Sequence, residues 1–283
     1  MIANAFEYIK AQNLADALHL LRFHGDDAKL IAGGHSLIPM MKLRLAQPAV
    51  LIDIGSLAGL SGVAATERRI TVGALTTHAE LAASDDLRRH APALWDAANA
   101  LGDPQVRNRG TAGGACAHGD PASDYPAVML ALDATFTLRG CDAERHVGAR
   151  DFFLGMFETA LQSGEILTDI QFDSQPHSAY VKLEHPASHY ALAGAAASLS
   201  LGGGRIASAR VAMSGLGDSA FRATEVEVGL ANADPRDPDA IAAACAMAAA
   251  GAEVRSDVAA SAEYRTAVAD VFAARAVTRA ATR

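Results

Sequence analysis

Two short stretches carry the residue types that can hold a charged ligand. "LIAGGHSLIPMMKLRL", Leu30–Leu45, breaks from an apolar strand-like start into two glycines, a histidine and a serine. "RGTAGGACAHGDPASD", Arg109–Asp124, does the same around a second glycine pair. Glycine allows a sharp turn and close approach of a ligand to the backbone. Successive N–H groups at such a turn form an anion nest, strengthened by the positive end of any helical turn that follows. In the first stretch Gly33 and Gly34 supply the turn, and Ser36 is placed to cap the next segment. In the second, Thr111, Gly113 and Gly114 offer a hydroxyl and bare backbone, and Asp124 a carboxylate suited to ribose or ribityl hydroxyls. The chemistry indicated is the anchoring of a phosphate or pyrophosphate, and two such loops suggest a ligand with two charged ends or one long ligand held twice. Neither stretch is a Walker loop or a GxGxxG fingerprint. Taken alone, each glycine pair also reads as a tight turn, and Asp124 as the cap of a helix beginning at Tyr125–Pro126.

The remaining chemistry-bearing residues exclude more than they suggest. The three cysteines, Cys116, Cys141 and Cys245, are far apart. They form neither a disulfide framework nor a four-thiolate cluster. The ten histidines contain no HExxH and no zinc spacing. Redox chemistry would therefore need an organic cofactor or metals carried by another chain. His35 reads equally as a ligand contact or a solvent-facing loop residue. His78 and His118 read as packing and capping groups, Cys116 as a small buried residue. At least one of Arg107 and Arg109 is expected in a structural salt bridge. No residue stands out as a general acid or base. A net charge of −8 argues against nucleic acid or an anionic membrane as partner. No secretory signal and no apolar run of membrane-spanning length is evident, so the expectation is a cytoplasmic protein that meets a membrane only through a complex.

The elements that must position these loops follow from periodicity. Asn13 is placed to cap a helix with Leu14, Leu18 and Leu21 on one face and Gly25 as its stop. Strands are expected at Lys29–Ala32, Val50–Ile54, Arg69–Gly73, Ala134–Leu138 and Thr168–Phe172. Helices are expected at Thr77–Ala83 and Pro92–Leu101. After a boundary near Gln175–Ser178, a strand at Tyr180–Leu183 precedes two longer ones, Ala191–Leu201 and Arg205–Ser214, joined by Gly202–Gly204 as a hairpin. From Thr224 onward the pattern is Ala-rich and mainly helical. With 283 residues, 51% of them hydrophobic, the chain can bury two cores. The class is α+β.

The two loops in this order, "AGGHSLIPMMKLRL" and "VRNRGTAGGACAHGDPASDYP", resemble the FAD-binding medium subunit of molybdenum hydroxylases, relatives of xanthine dehydrogenase and aerobic carbon monoxide dehydrogenase. The resemblance extends through "ITVGALTTHAEL", "GEILTDI" and "AYVKLEHPASHYALAGAA". It implies an FAD-binding domain of the vanillyl-alcohol-oxidase (PCMH) type over residues 1–176, built of two α+β subdomains split near 55–60. A smaller α+β carbon monoxide dehydrogenase flavoprotein C-terminal domain would follow over 177–283. By resemblance, Ala32, Gly33, Gly34, His35 and Ser36 form one pyrophosphate loop, Thr111, Gly113, Gly114 and Ala115 the other, and Asp124 holds a hydroxyl of the FAD chain. Leu167 matches a residue whose backbone lies beside the flavin, Lys182 a lysine near the isoalloxazine, and Tyr190 a tyrosine that covers the ring in some members. Many relatives have a basic residue and Gly-Asp-Tyr where this chain has "HPASHYA", with His185 and His189.

The function implied is electron transfer: electrons reach FAD here from [2Fe–2S] clusters in a small subunit, which receives them from a molybdopterin centre in a large subunit. A dimer of such heterotrimers is expected, with no catalytic residue and no metal site in this chain. A self-sufficient FAD oxidase acting directly on a small molecule is the alternative, and a scaffold that has lost its cofactor a third reading, against which the intact loops argue. The substrate stays open: carbon monoxide, a purine, a nicotine-like heterocycle, an aldehyde or an aromatic thioester.

Overall fold

The computed structural model describes residues 2–283. Residues 7–53 make a small parallel sheet with two helices, from β1 (Glu7–Lys10), α1 (Leu14–His24), β2 (Ala28–Ile31), α2 (Leu37–Lys42) and β3 (Val50–Asp53), with the strands in the order β1-β3-β2. Parallel neighbours require a crossover: β2 returns to its neighbour β3 through α2, and β1 reaches β2 on the far side of β3 through α1. Asn13 accepts from the Asp16 N–H at its start, and the Gly25 N–H donates to the Leu21 carbonyl at its end. Ile52, Ala17, Leu18 and Val50 form the core beneath.

A second sheet follows. β4 (Val63–Ala65) and β5 (Arg69–Gly73) lead into six helices: α3 (His78–Ala83), α4 (Asp85–His90), α5 (Pro92–Ala100), α6 (Pro104–Arg107), α7 (Ala112–His118) and α8 (Asp124–Leu132). Then come β6 (Thr135–Arg139), β7 (Glu144–Gly148), α9 (Ala149–Phe152), the hairpin β8 (Phe153–Gly155) and β9 (Glu158–Thr159), and β10 (Ile166–Asp173). The sheet is antiparallel, ordered β4-β5-β10-β6-β7. Every residue of α8 is buried, as its lack of a polar face requires.

The third sheet holds β11 (Ser178–Glu184), β12 (Ala191–Gly202), β13 (Arg205–Ser214) and β14 (Phe221–Arg222), antiparallel in chain order. Gly202 pairs with Arg205, and Gly203 and Gly204 turn between them at φ 59° and 76°. Positive φ at both positions is what a two-residue hairpin turn demands. α10 (Thr224–Leu230), α11 (Pro238–Cys245) and α12 (Ala262–Ala281) complete the chain. Strand alternation splits β12 between two cores. Ala193, Ala195 and Ala197 join the core under the C-terminal helices, and Ala196 joins that of α5 and α8. The sheet is thus a shared wall. Asp96 on α5 reinforces it: buried, it accepts from the Tyr180 N–H at 3.1 Å and pairs with Arg279 at 2.7 Å.

The expected helices and strands stand within a residue or two of their places. The short strands β1, β4, β7, β8, β9 and β14 and the short helices α4, α6 and α9 were not expected, nor was a helix starting inside the second glycine loop.

Candidate functional site

The first loop leaves the end of β2, where Ile31 is still paired with Asp53. Gly34 turns at φ 74°, a conformation other residues rarely adopt. From Gly33 to Ser36 the backbone N–H groups donate to no acceptor among the described residues; the first bonds after the turn are Ile38 N–H to Gly34 O and Met40 N–H to Ser36 O. Four consecutive open amides can surround the oxygens of a phosphate. Ser36 precedes α2 in helical geometry, and its side chain makes no capping bond, contrary to the expected cap. His35, Lys42 and Arg44 are exposed.

The second loop is built otherwise. Thr111 caps α7, its hydroxyl accepting from the Gly114 N–H at 3.2 Å. The Ala112 N–H donates to the Thr76 carbonyl and the Gly113 N–H to that of Ala74. The expected bare backbone at Gly113 and Gly114 is therefore already bonded within the chain. Gly113 is a packing glycine: a Cβ there would lie 2.8 Å from the Ala74 Cα. Gly114 is exposed, and a Cβ would meet only the Thr111 hydroxyl, at 2.7 Å. Ala115 follows, half-buried.

The two loops touch. A Cβ on Gly33 would strike the Arg109 carbonyl and lie 2.7 Å from the Gly110 Cα. Leu167 joins this junction indirectly. It sits buried at an irregularity of β10, and the next carbonyl, that of Thr168, takes the N–H of Ala74.

Asp124 is the first residue of α8 rather than its cap, which is Ser123. Its carboxylate is 4% exposed. It accepts from the Tyr180 hydroxyl at 2.6 Å and from the Lys182 Nζ, 3.1 Å from Oδ1 and 3.2 Å from Oδ2. Burial pushes the carboxyl up, and Lys182 and Tyr180 pull it back. Lys182 also donates to the His189 carbonyl at 2.7 Å, fixing the 185–190 turn that carries half-exposed Tyr190. Burial, then the charges of Asp120 and Asp124, raise the Tyr190 hydroxyl. A hollow of about 430 Å³ opens beside Tyr190, lined by Pro121, Ala122, Met156, His185 and Leu192. Another of equal volume lies beside Lys182, lined by Trp95, Asn99 and Glu184.

Other expectations are corrected. Arg107 donates to the carbonyls of Leu101 and Gly102, and neither it nor Arg109 forms an ion pair among the described residues. Main-chain carbonyls at a helix end satisfy Arg107 instead. As expected, in contrast, His118 packs against Phe157, ring centres 5.0 Å apart, and Cys116 is fully buried. Tyr180 was missed as a site residue. Its signal was available: on a strand it faces the same way as Lys182, two positions on.

Comparisons with known proteins identify the family. The family described as "FAD binding domain in molybdopterin dehydrogenase" matches residues 4–173, and "CO dehydrogenase flavoprotein C-terminal domain" matches residues 178–280. The chain belongs to this FAD-binding family of molybdopterin dehydrogenases and is a medium, FAD-carrying oxidoreductase subunit of the molybdenum hydroxylase type. Among similar proteins is the carbon monoxide dehydrogenase medium chain of Afipia carboxidovorans, 39% identical with 100% of this chain and 99% of the relative aligned. The alpha subunit of the 6-hydroxypseudooxynicotine dehydrogenase complex of Paenarthrobacter nicotinovorans is 35% identical over 98% and 94%. The solved carbon monoxide dehydrogenase of Hydrogenophaga pseudoflava superimposes with a TM-score of 0.94, at 39% identity, over 99% of this chain and 98% of that one. The residues present fit FAD: four open amides and a positive-φ glycine suit its phosphates. No helix among the described residues is long and apolar enough to cross a membrane.

Proposed function

We propose that this chain is the electron-transfer subunit of a heterotrimeric molybdenum hydroxylase, taking electrons from [2Fe–2S] clusters of a small subunit and passing them to an external acceptor. Bound FAD supplies the two-electron chemistry. The observation that carries the reading is the run of open amides from Gly33 to Ser36, beginning where Gly33 abuts Arg109 and Gly110 at the start of the second loop.

In this reading Ala32–Ser36 bind the phosphates directly, and Thr111, Gly113, Gly114 and Ala115 form the opposing wall. Asp124 accepts a hydroxyl of the FAD chain through lone pairs that Tyr180 and Lys182 leave free. Leu167, Lys182 and Tyr190 border the flavin. Residues 1–176 are the FAD unit, divided near 55–60, and 177–283 the C-terminal unit. The molybdopterin belongs to a large subunit, and the assembly is a dimer of heterotrimers in the cytoplasm. Substrate oxidation takes place in that large subunit. The relatives are named for different substrates, which suits a subunit that does not itself select the substrate.

Reconstitution tests this. The chain alone, loaded with FAD, is given candidate substrates and an artificial acceptor, then assayed again with its co-purifying partners. Flavin reduction only in the presence of both partners is expected. Substrate-dependent turnover by the lone chain overturns the reading in favour of a self-sufficient oxidase.

A further inference from the structure

A single side chain stands where the two loops and α8 meet. His78, the first residue of α3, is 4% exposed. One edge of its ring faces Tyr125, the residue after Asp124, with Nδ1 2.8 Å from the hydroxyl and the rings nearly perpendicular at 72°. The opposite edge abuts Gly110: a Cβ there would lie 2.5 Å from Nε2. The His78 N–H also donates to the Gly110 carbonyl at 3.0 Å. Gly110 in turn receives Gly33 on its far side. Gly33, Gly110, His78 and Tyr125 thus form one continuous stack, from the first loop through the second to the helix that starts at Asp124.

We propose that His78 is a positioning residue for FAD binding. Its ring sets the spacing between the two loops, and its bond to Tyr125 ties that spacing to Asp124. The proposal rests on the reading that these loops hold FAD. An apolar side chain of similar size would fill the volume but make no bond to the buried Tyr125 hydroxyl, which would then lack a partner. Gly110 lacks a side chain because the imidazole occupies the place of its Cβ.

The stack makes a non-additive prediction. FAD is titrated into the flavin-free chain, and thermal midpoints are recorded without FAD, for Gly110→Ala, His78→Ala, the double variant and Tyr125→Phe. Gly110→Ala alone should weaken FAD binding about tenfold or more. In the His78→Ala background the same change should matter less than about threefold, since the two ring atoms nearest the new methyl are gone and the next atom, the Val106 carbonyl oxygen, is 3.3 Å away. Tyr125→Phe keeps the ring and removes only the bond. It should weaken FAD about three- to tenfold and change the visible circular dichroism of the flavin at saturation, which a loss of stability alone would not do. Additive effects of the Gly110 and His78 changes, or unaltered affinity and dichroism in Tyr125→Phe, overturn the proposal. Gly34→Ala is the control: if it loses FAD while the His78 and Tyr125 variants do not, the positioning role fails and the loop reading stands. If it also leaves affinity unchanged, the loop reading itself fails.

Discussion

The two glycine loops share an Ala-Gly-Gly run, Ala32–Gly34 and Ala112–Gly114, and have opposite hydrogen-bond states. From Gly33 to Ser36 the amides are open. From Ala112 to Gly114 they are bonded to Thr76, Ala74 and Thr111, and Asp124 at the end of that segment is paired with Lys182. The first loop offers donors, whereas the second is a finished wall, rigid before any ligand arrives. A glycine pair near a phosphate is thus not one device. Gly34 is needed for its backbone angle, Gly33 and Gly113 for close packing, and Gly114 for an open face. On the proposed reading, cofactor anchoring is divided between a part that changes its bonding on binding and a part that does not.

The sharpest way to stress this contrast is at the closed end. Asp124→Ala leaves the Lys182 ammonium buried without its partner, which costs about 3–5 kcal/mol. Urea unfolding of the flavin-free chain should show that loss, together with weaker FAD binding. A stability change below about 1 kcal/mol would mean the pair is not part of the wall.

Acid should act on the junction of the two loops. Burial first, then the charges of His35 and Arg107, lowers the His78 pKa to about 4. The unfolded chain takes up this proton near pH 6.5 and the folded chain only near 4, so the unfolded state binds more protons between those values. The stability linked to His78 is complete above about pH 6.5 and declines as pH falls towards 4, by roughly 3 kcal/mol at about 1.4 per unit. His78→Gln removes the titrating group, so the difference in stability between it and the native chain should shift by that amount across the window. Parallel pH profiles would contradict it.

Two glycine substitutions separate packing from binding. Gly113→Val drives its side chain into Ala74 and should cost about 2 kcal/mol of overpacking, read by thermal unfolding without FAD. Gly34→Ala should cost only about 1 kcal/mol of backbone strain. It should nevertheless weaken FAD about tenfold in a fluorescence titration, because the amides no longer converge. Equal effects on stability and on affinity at both positions would erase the distinction between the loops.

Much of this architecture was legible in the chain. The capped helix at Leu14, the Gly202–Gly204 hairpin and the antiparallel strands around it follow from local periodicity and turn chemistry. β1 escaped because its residues are nearly all exposed, so "EYIK" carries no alternation. The loops themselves were visible as glycine pairs, but their difference was not. What bonds the Gly113 amide is a carbonyl 39 positions away, and Lys182 reaches Asp124 across 58 positions. Local patterns record which groups a segment has, and only the tertiary fold decides which of them remain free. For the same reason Asp124, placed at a helix start, reads as a cap, although its carboxylate turns away to β11.

Residue-resolved amide exchange with and without FAD tests the division most directly. In the flavin-free chain the amides of Ala112, Gly113 and Gly114 should already be protected, and those of Gly33 to Ser36 should exchange freely. On loading with FAD, protection should appear at Gly33–Ser36 while Ala112–Gly114 stay as they were. Gly33–Ser36 remaining open in the loaded chain, or protection arising instead at Ala112–Gly114, would contradict the account.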